Sequence, residues 1–133
     1  MGIGVVNGLK HERENGIFEH VKQFGLTTCQ LVNWKPDLWT EALAAKVSEQ
    51  ARTSGVRPCA LWTGYSGPAC WNFTEGPTTL GLVPPEFREQ RILDLKKGAD
   101  FAAKIGVPAI VTHCGFIPEN MSDPLYEGVL QAI

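Results

Sequence analysis

No apolar run in this chain is longer than a strand. A bilayer-spanning helix needs roughly 20 such residues, so a membrane role is excluded as an expectation. The opening residues, Met1-Gly2-Ile3-Gly4, lack the basic segment and apolar core of a secretory leader, which points to the cytoplasm. Basic clusters are missing too. The 12 Lys and Arg are scattered and the net charge is −2, which argues against a nucleic-acid partner. The four cysteines, Cys29, Cys59, Cys70 and Cys114, contain no CxxC pair and read as buried free thiols, not a disulfide framework. There is no P-loop, nucleophile elbow or HExxH. The glycines from Gly2 to Gly8 overlap an apolar run where a dinucleotide loop would follow one, so that reading falls. Asn72-Phe73-Thr74 matches a glycosylation sequon, but without a secretory route it reads as chance.

What remains is ordinary globular material. The 133 residues are 44% apolar and 20% charged, enough for one domain with a real core. Within it one arrangement recurs. Helical stretches run into Gly25, Gly55 and Gly106, and each glycine is followed by a short apolar run. Glycine tolerates the left-handed conformation that ends a helix, so each junction reads as helix, stop, strand. With the opening run Ile3-Gly4-Val5-Val6 this predicts four parallel strands, at about 3–7, 26–32, 56–62 and 107–113. The fold class is α/β: a parallel (βα)4 unit, half of a barrel that needs eight such units.

Between these strands, Ile17, Phe18, Val21 and Phe24 share one face of a short helix. Asp37 is a candidate cap for the next helix, and Pro58 suits the start of the third strand. The long loop 63–85 breaks the rhythm. It is rich in Gly and Pro but also carries Tyr65, Trp71 and Phe73, which favours an ordered lid. Pro84-Pro85-Glu86 then opens the strongest helix, with Ile92, Leu95, Ala99, Ala102 and Ala103 as its expected inner stripe. Asp123 or Ser122 is placed to cap a last helix through Val129, Leu130 and Ile133.

In parallel α/β folds ligands bind beyond the carboxyl ends of the strands. Those ends are Asn7, Asn33 with Trp34, Trp62 with Thr63, and His113. Of these, only His113 is of a type that can act as an acid–base group or a neutral metal ligand near neutral pH. His11 and His20 read as solvent-facing, and no ligand pair has zinc spacing. Trp34, Trp62 and Trp71 are expected to gather at one rim, either as a platform for a sugar ring or as core filling.

Taken in order, these segments resemble the sugar phosphate isomerase/epimerase family, with its xylose isomerase-like TIM barrel. The matching pieces are Ile3-Gly4-Val5-Val6, the run from Gly25 to Leu31, Ala60-Leu61-Trp62, and above all the stretch from Leu95 to Gly115. Family members carry a similar helix, then a glycine, an apolar strand and a His-x-Gly. The resemblance implies the N-terminal half of a TIM (β/α)8 barrel over residues 1–133. It implies a sugar or sugar phosphate as small-molecule substrate, and isomerisation or epimerisation in which two glutamates shuttle a proton at the carbon next to the ketose carbonyl. A divalent metal (Mn2+, Mg2+, Co2+ or Zn2+) polarises the ketose in that chemistry. The metal ligands and glutamates of the family come from strands five to eight, which have no counterpart here. Glu119 and Glu127 do not match those positions. The expectation is therefore no catalytic or metal-ligating residue in this chain, no bound metal, and no activity by itself. His113, Trp62, Asn7 and Gln30 match first-half positions that line the pocket and are expected to hold substrate. Open barrel edges would favour self-association. Two alternatives stay open: a non-enzymatic α/β module that binds a sugar or a protein, and a flavodoxin-like doubly wound sheet.

Overall fold

A computed structural model describes residues 2–9 and 16–133. The polar loop around His11 lies outside the described residues. The elements follow in the order β1 (Val5–Gly8), α1 (Glu19–Gln23), β2 (Thr28–Asn33), α2 (Glu41–Ser54), β3 (Arg57–Thr63), α3 (Gly76–Thr79), α4 (Pro85–Lys104), β4 (Ile110–Val111) and α5 (Tyr126–Ala132). The four strands form one parallel sheet in the order β1-β2-β3-β4. Right-handed crossovers that always step in the same direction put every helix on one side of a sheet. This is barrel winding, and it excludes the flavodoxin-like alternative, whose strand order reverses.

The register divides the residues between two faces. Val5, Cys29, Leu31 and Leu61 face the helices, and Cys29, Leu31 and Leu61 are buried with Phe18 and Val21 at α1, Leu43 and Val47 of α2, and Phe101 and Ala102 of α4. Val6, Gln30, Ala60, Trp62 and Val111 share the opposite face, which no helix among the described residues covers. Val6 is 50% exposed there, although its neighbours in sequence are more enclosed. That open face is the one a closed barrel turns inward.

Several boundaries differ from the expected ones. The fourth strand shrinks from seven residues to Ile110–Val111. Val107 N–H still closes the end of α4 on Ala102 O (2.9 Å), and Pro108 has no N–H to donate. In β3, Pro58 likewise lacks a donor, and the register slips so that Cys59 has no partner residue in β2. Helix α2 is capped not by Asp37, which lies in a 3-10 turn, but by Thr40, whose Oγ1 accepts from Leu43 N–H (3.2 Å). Phe24 falls just past α1 and is exposed. All four cysteines are free as expected, but only Cys29 is buried: Cys59 is exposed, and Cys70 and Cys114 are half-buried.

The inner stripe of α4 is also corrected. Its buried residues are Arg91, Asp94, Gly98, Phe101 and Ala102, while Ala99 and Ala103 are exposed. The buried set has the same helical period, turned one position toward the polar residues. Ile92 and Leu95 serve a smaller cluster with Leu82, Val83 and Val129 of α5. Gly98 lets α4 lie close on the sheet, since a Cβ there would fall 2.3 Å from Thr63 Cγ2.

Two outcomes follow from this packing. Gly98→Ala should overpack the α4–β3 contact and lower stability by about 1–3 kcal/mol in urea unfolding. Burial, with a smaller contribution from nearby Cys59, raises the Cys29 pKa to about 11. The folded chain then keeps a proton that the unfolded chain releases above about pH 9, so stability should fall as pH rises from about 9 to 11. Cys29→Val should flatten that decline, as read from pH-dependent melting.

Candidate functional site: an aromatic rim at the strand ends

Past the ends of β2, β3 and β4 the chain builds a continuous aromatic rim. The Trp34 ring packs edge-on against Trp62 (6.4 Å), Tyr65 (5.3 Å) and Trp71 (5.5 Å), and Trp71 meets the His113 imidazole at 4.9 Å. The three tryptophans grouped from sequence therefore do gather. Close backbone approach makes this possible. A Cβ on Gly64 would lie 2.4 Å from Trp34 Cα, so only glycine allows the two strand ends to touch here.

Beside the rim lies a pocket of about 330 Å³ lined by Trp71, Asn72, Phe73, Leu80, His113, Gly115 and Phe116. Its outer lip is apolar: Phe73 is 91% exposed and packs edge-on against Phe116 at 6.0 Å. His113 Nδ1 accepts a hydrogen bond from Gly115 N–H (3.1 Å). An accepting Nδ1 is unprotonated, so the neutral ring carries its proton on Nε2 and can donate it to a hydroxyl. Trp62 Nε1 and Trp39 Nε1 are buried and have no hydrogen-bond partner among the described residues.

The four residues expected to hold substrate are divided by the structure. His113 lines the pocket, and Trp62 stands at the rim next to Trp34. Gln30 is on the same sheet face as Trp62, one row deeper and paired with Ala60. Asn7 belongs to the opposite face. It is buried, and its Nδ2 donates to Ile17 O (2.8 Å), so it ties β1 to the chain ahead of α1 instead of facing the pocket. Asn33, also buried, turns the chain locally: its Oδ1 accepts from Lys35 N–H and its Nδ2 donates to Lys35 O.

Sequence reasoning missed the residues that hold the loop in place. Arg91 is 0% exposed and donates to the carbonyls of Ser66 (3.2 Å), Pro68 (2.6 Å) and Gly81 (2.6 Å). Asp94 accepts from Ser66 N–H (2.8 Å) and Ser66 Oγ–H (2.5 Å). Arg88 donates to Leu82 O and Val83 O. Tyr65 is buried, and its hydroxyl accepts from Gly81 N–H (2.7 Å). Burial pulls Arg91 below its ordinary pKa, against the opposing charges of Tyr65, Glu86 and Asp94. Burial raises Tyr65, although the Gly81 bond and Arg91 pull the other way. The signal available in the sequence was the 91-94-98-101 spacing, in phase with Phe101, facing a loop rich in backbone carbonyls.

No group of three or more His, Cys, Asp or Glu side chains able to hold a metal occurs among the described residues. The described residues that line the pocket with His113 include no carboxylate, and His113 Nδ1 is already engaged. The residues present do not fit a divalent metal by themselves. Among the described residues no helix is long and apolar enough to cross a membrane.

A parallel (βα)4 sheet with helices on one face is barrel architecture. Solved structures that share it include a xylose isomerase domain protein and two sugar epimerases, in keeping with the sequence resemblance. A xylose isomerase domain protein from Planctomyces limnophilus matches with TM-score 0.84 and 28% identity over 98% of this chain and 46% of its own. A D-psicose 3-epimerase crystallised with D-fructose matches with TM-score 0.60 at 14% identity, covering 100% of this chain and 46% of its own. The 3-keto-D-glucoside 4-epimerase YcjR from E. coli matches with TM-score 0.55 at 15% identity, covering 96% and 49%. The last two likenesses are of fold. The chain spans about half the length of these structures. No family model and no curated sequence matches it.

Tyr65→Phe should leave Gly81 N–H without its buried acceptor and lower stability by about 1–3 kcal/mol. Urea unfolding checks the stability, and near-UV circular dichroism checks the expected change at the adjoining Trp34.

Proposed function

We propose that this (βα)4 unit forms the substrate-holding half of a sugar isomerase/epimerase site. The observation that carries the reading is the pocket beside His113. Aromatic faces suit the C–H surface of a sugar ring, and an Nε2–H donor suits a hydroxyl or carbonyl oxygen. Likeness over 98% of the chain to a xylose isomerase domain protein supports the same reading.

On this reading His113 and Trp62 hold and orient the sugar, while Gln30, deeper on the open face, reaches substrate only where the sugar extends into the barrel. Asn7 acts from behind the sheet by anchoring β1. The described residues that line the pocket include no Lys or Arg, which favours a neutral ketose over a sugar phosphate. Metal ligands and the proton-shuttling carboxylates belong to a complementing (βα)4 unit that covers the open face carrying Val6, Trp62 and Val111. By itself the chain binds sugar without turning it over. A metal-free binding module is the second reading, favoured by a pocket whose described lining carries one histidine and no carboxylate.

D-Fructose should quench the tryptophan fluorescence of the protein. His113→Ala and Trp71→Ala should each weaken binding by about tenfold, a loss of ~1.4 kcal/mol. Ketose epimerisation by the 133-residue chain with Mn2+, abolished by EDTA, would disprove the division of labour between two halves. Absence of any ketose binding would remove the sugar reading itself.

A further inference from the structure

Arg91 is the most deeply buried charge in the described structure, and no salt bridge pairs it there. Its guanidinium is satisfied by three carbonyls and two aromatic faces. The carbonyls of Ser66, Pro68 and Gly81 all belong to the loop between β3 and α4. The rings of Tyr65 and Phe87 lie 4.5 Å and 4.7 Å from its Cζ. A planar fork with five donors can meet three diverging carbonyls while stacking on rings; an ammonium cannot do both.

Two lines of contact lead from this guanidinium to the pocket. In the first, Arg91 holds the Gly81 carbonyl, and Gly81, at φ +72°, packs directly on the backbone of Cys114 and Gly115. Leu82 N–H then donates to Cys114 O (2.8 Å), and Gly115 N–H donates to His113 Nδ1. In the second, Arg91 lies over Tyr65, which meets Trp34, which meets Trp71, which meets His113. Both lines end on the same imidazole.

We infer that Arg91 is a positioning residue for the pocket: by fixing Gly81 and Tyr65 it sets the aromatic wall and keeps His113 in the tautomer that presents Nε2–H. The placement of His113 stands on the backbone contacts alone; its meaning for substrate rests on the sugar reading above. Asp94 assists by holding Ser66, at the other end of the same loop.

Arg91→Lys is the test, with far-UV circular dichroism to establish that the variant is folded. Nitrogen-15 spectra at pH 8 report the His113 tautomer, and the indole N–H signals of Trp34, Trp62 and Trp71 report the rim. Wild type should show His113 as a single Nε2–H tautomer. The lysine variant should show a mixture of both tautomers, shifted rim indoles, and D-fructose binding weakened by about tenfold. Moved tautomer and indole signals without fructose binding in either protein would keep the positioning role and discard the sugar reading. An unchanged His113 tautomer and unchanged indoles in a folded Arg91→Lys protein would overturn the inference, whatever fructose does. If the variant does not fold, the wild-type Arg91 Nη protons decide. Four resolved, slowly exchanging signals are expected, and averaged, rapidly exchanging ones overturn it.

Discussion

The guanidinium of Arg91 is the point on which the upper part of this structure depends. The loop between β3 and α4 buries Tyr65, Leu80, Leu82 and Val83. Its backbone carbonyls also converge on one buried cation on the first turns of α4. Removing an unpaired arginine from water is unfavourable, and several charge-assisted hydrogen bonds with two ring faces offset that. The result is a loop that behaves as part of the helix it precedes. Asp94 and Arg88 repeat the arrangement on either side, holding Ser66 and the carbonyls of Leu82 and Val83.

That constraint explains why the aromatic rim has a definite shape. Trp71 and Phe73 belong to the clamped loop and are both exposed, so their own burial contributes little to their placement. They stand where they do because the loop beneath them is held at Pro68 and Gly81. His113 arrives from the other direction, at the end of β4, and is met by the same loop through Cys114 and Gly115. The pocket is thus a joint between two segments, one strand-borne and one loop-borne. Glycines 64, 81 and 115 allow the close contacts there, because a side chain at any of them would strike backbone atoms.

The sheet has a different character on its two faces. The helix side is a dense core whose Cys29, Leu31 and Leu61 are fully enclosed. The other side keeps Val6 and Val111 partly in solvent. Among the described residues β1 and β4 each pair on one side only, and the inner face is open. This matches the fact that this chain aligns with about half of each solved barrel it resembles.

The helix–glycine–strand rhythm at Gly25, Gly55 and Gly106 determined the parallel (βα)4 fold from sequence, because positive φ at those glycines is a local property. The same rhythm placed Trp62 and His113 at strand ends, where such folds bind ligands. It misplaced Asn7, since a shift of one residue along a strand turns a side chain to the opposite face, and the register is set by Cys29 and Gln30 across the sheet. It also left Arg91 and Asp94 unremarked, because a charge on a helix reads as solvated until the partners that enclose it are known. Those partners lie ten to twenty-eight positions away in sequence. Elements with local causes were decided by the sequence itself. Which charges are buried, and which loop carbonyls they hold, was decided only when α4 packed against the chain before it.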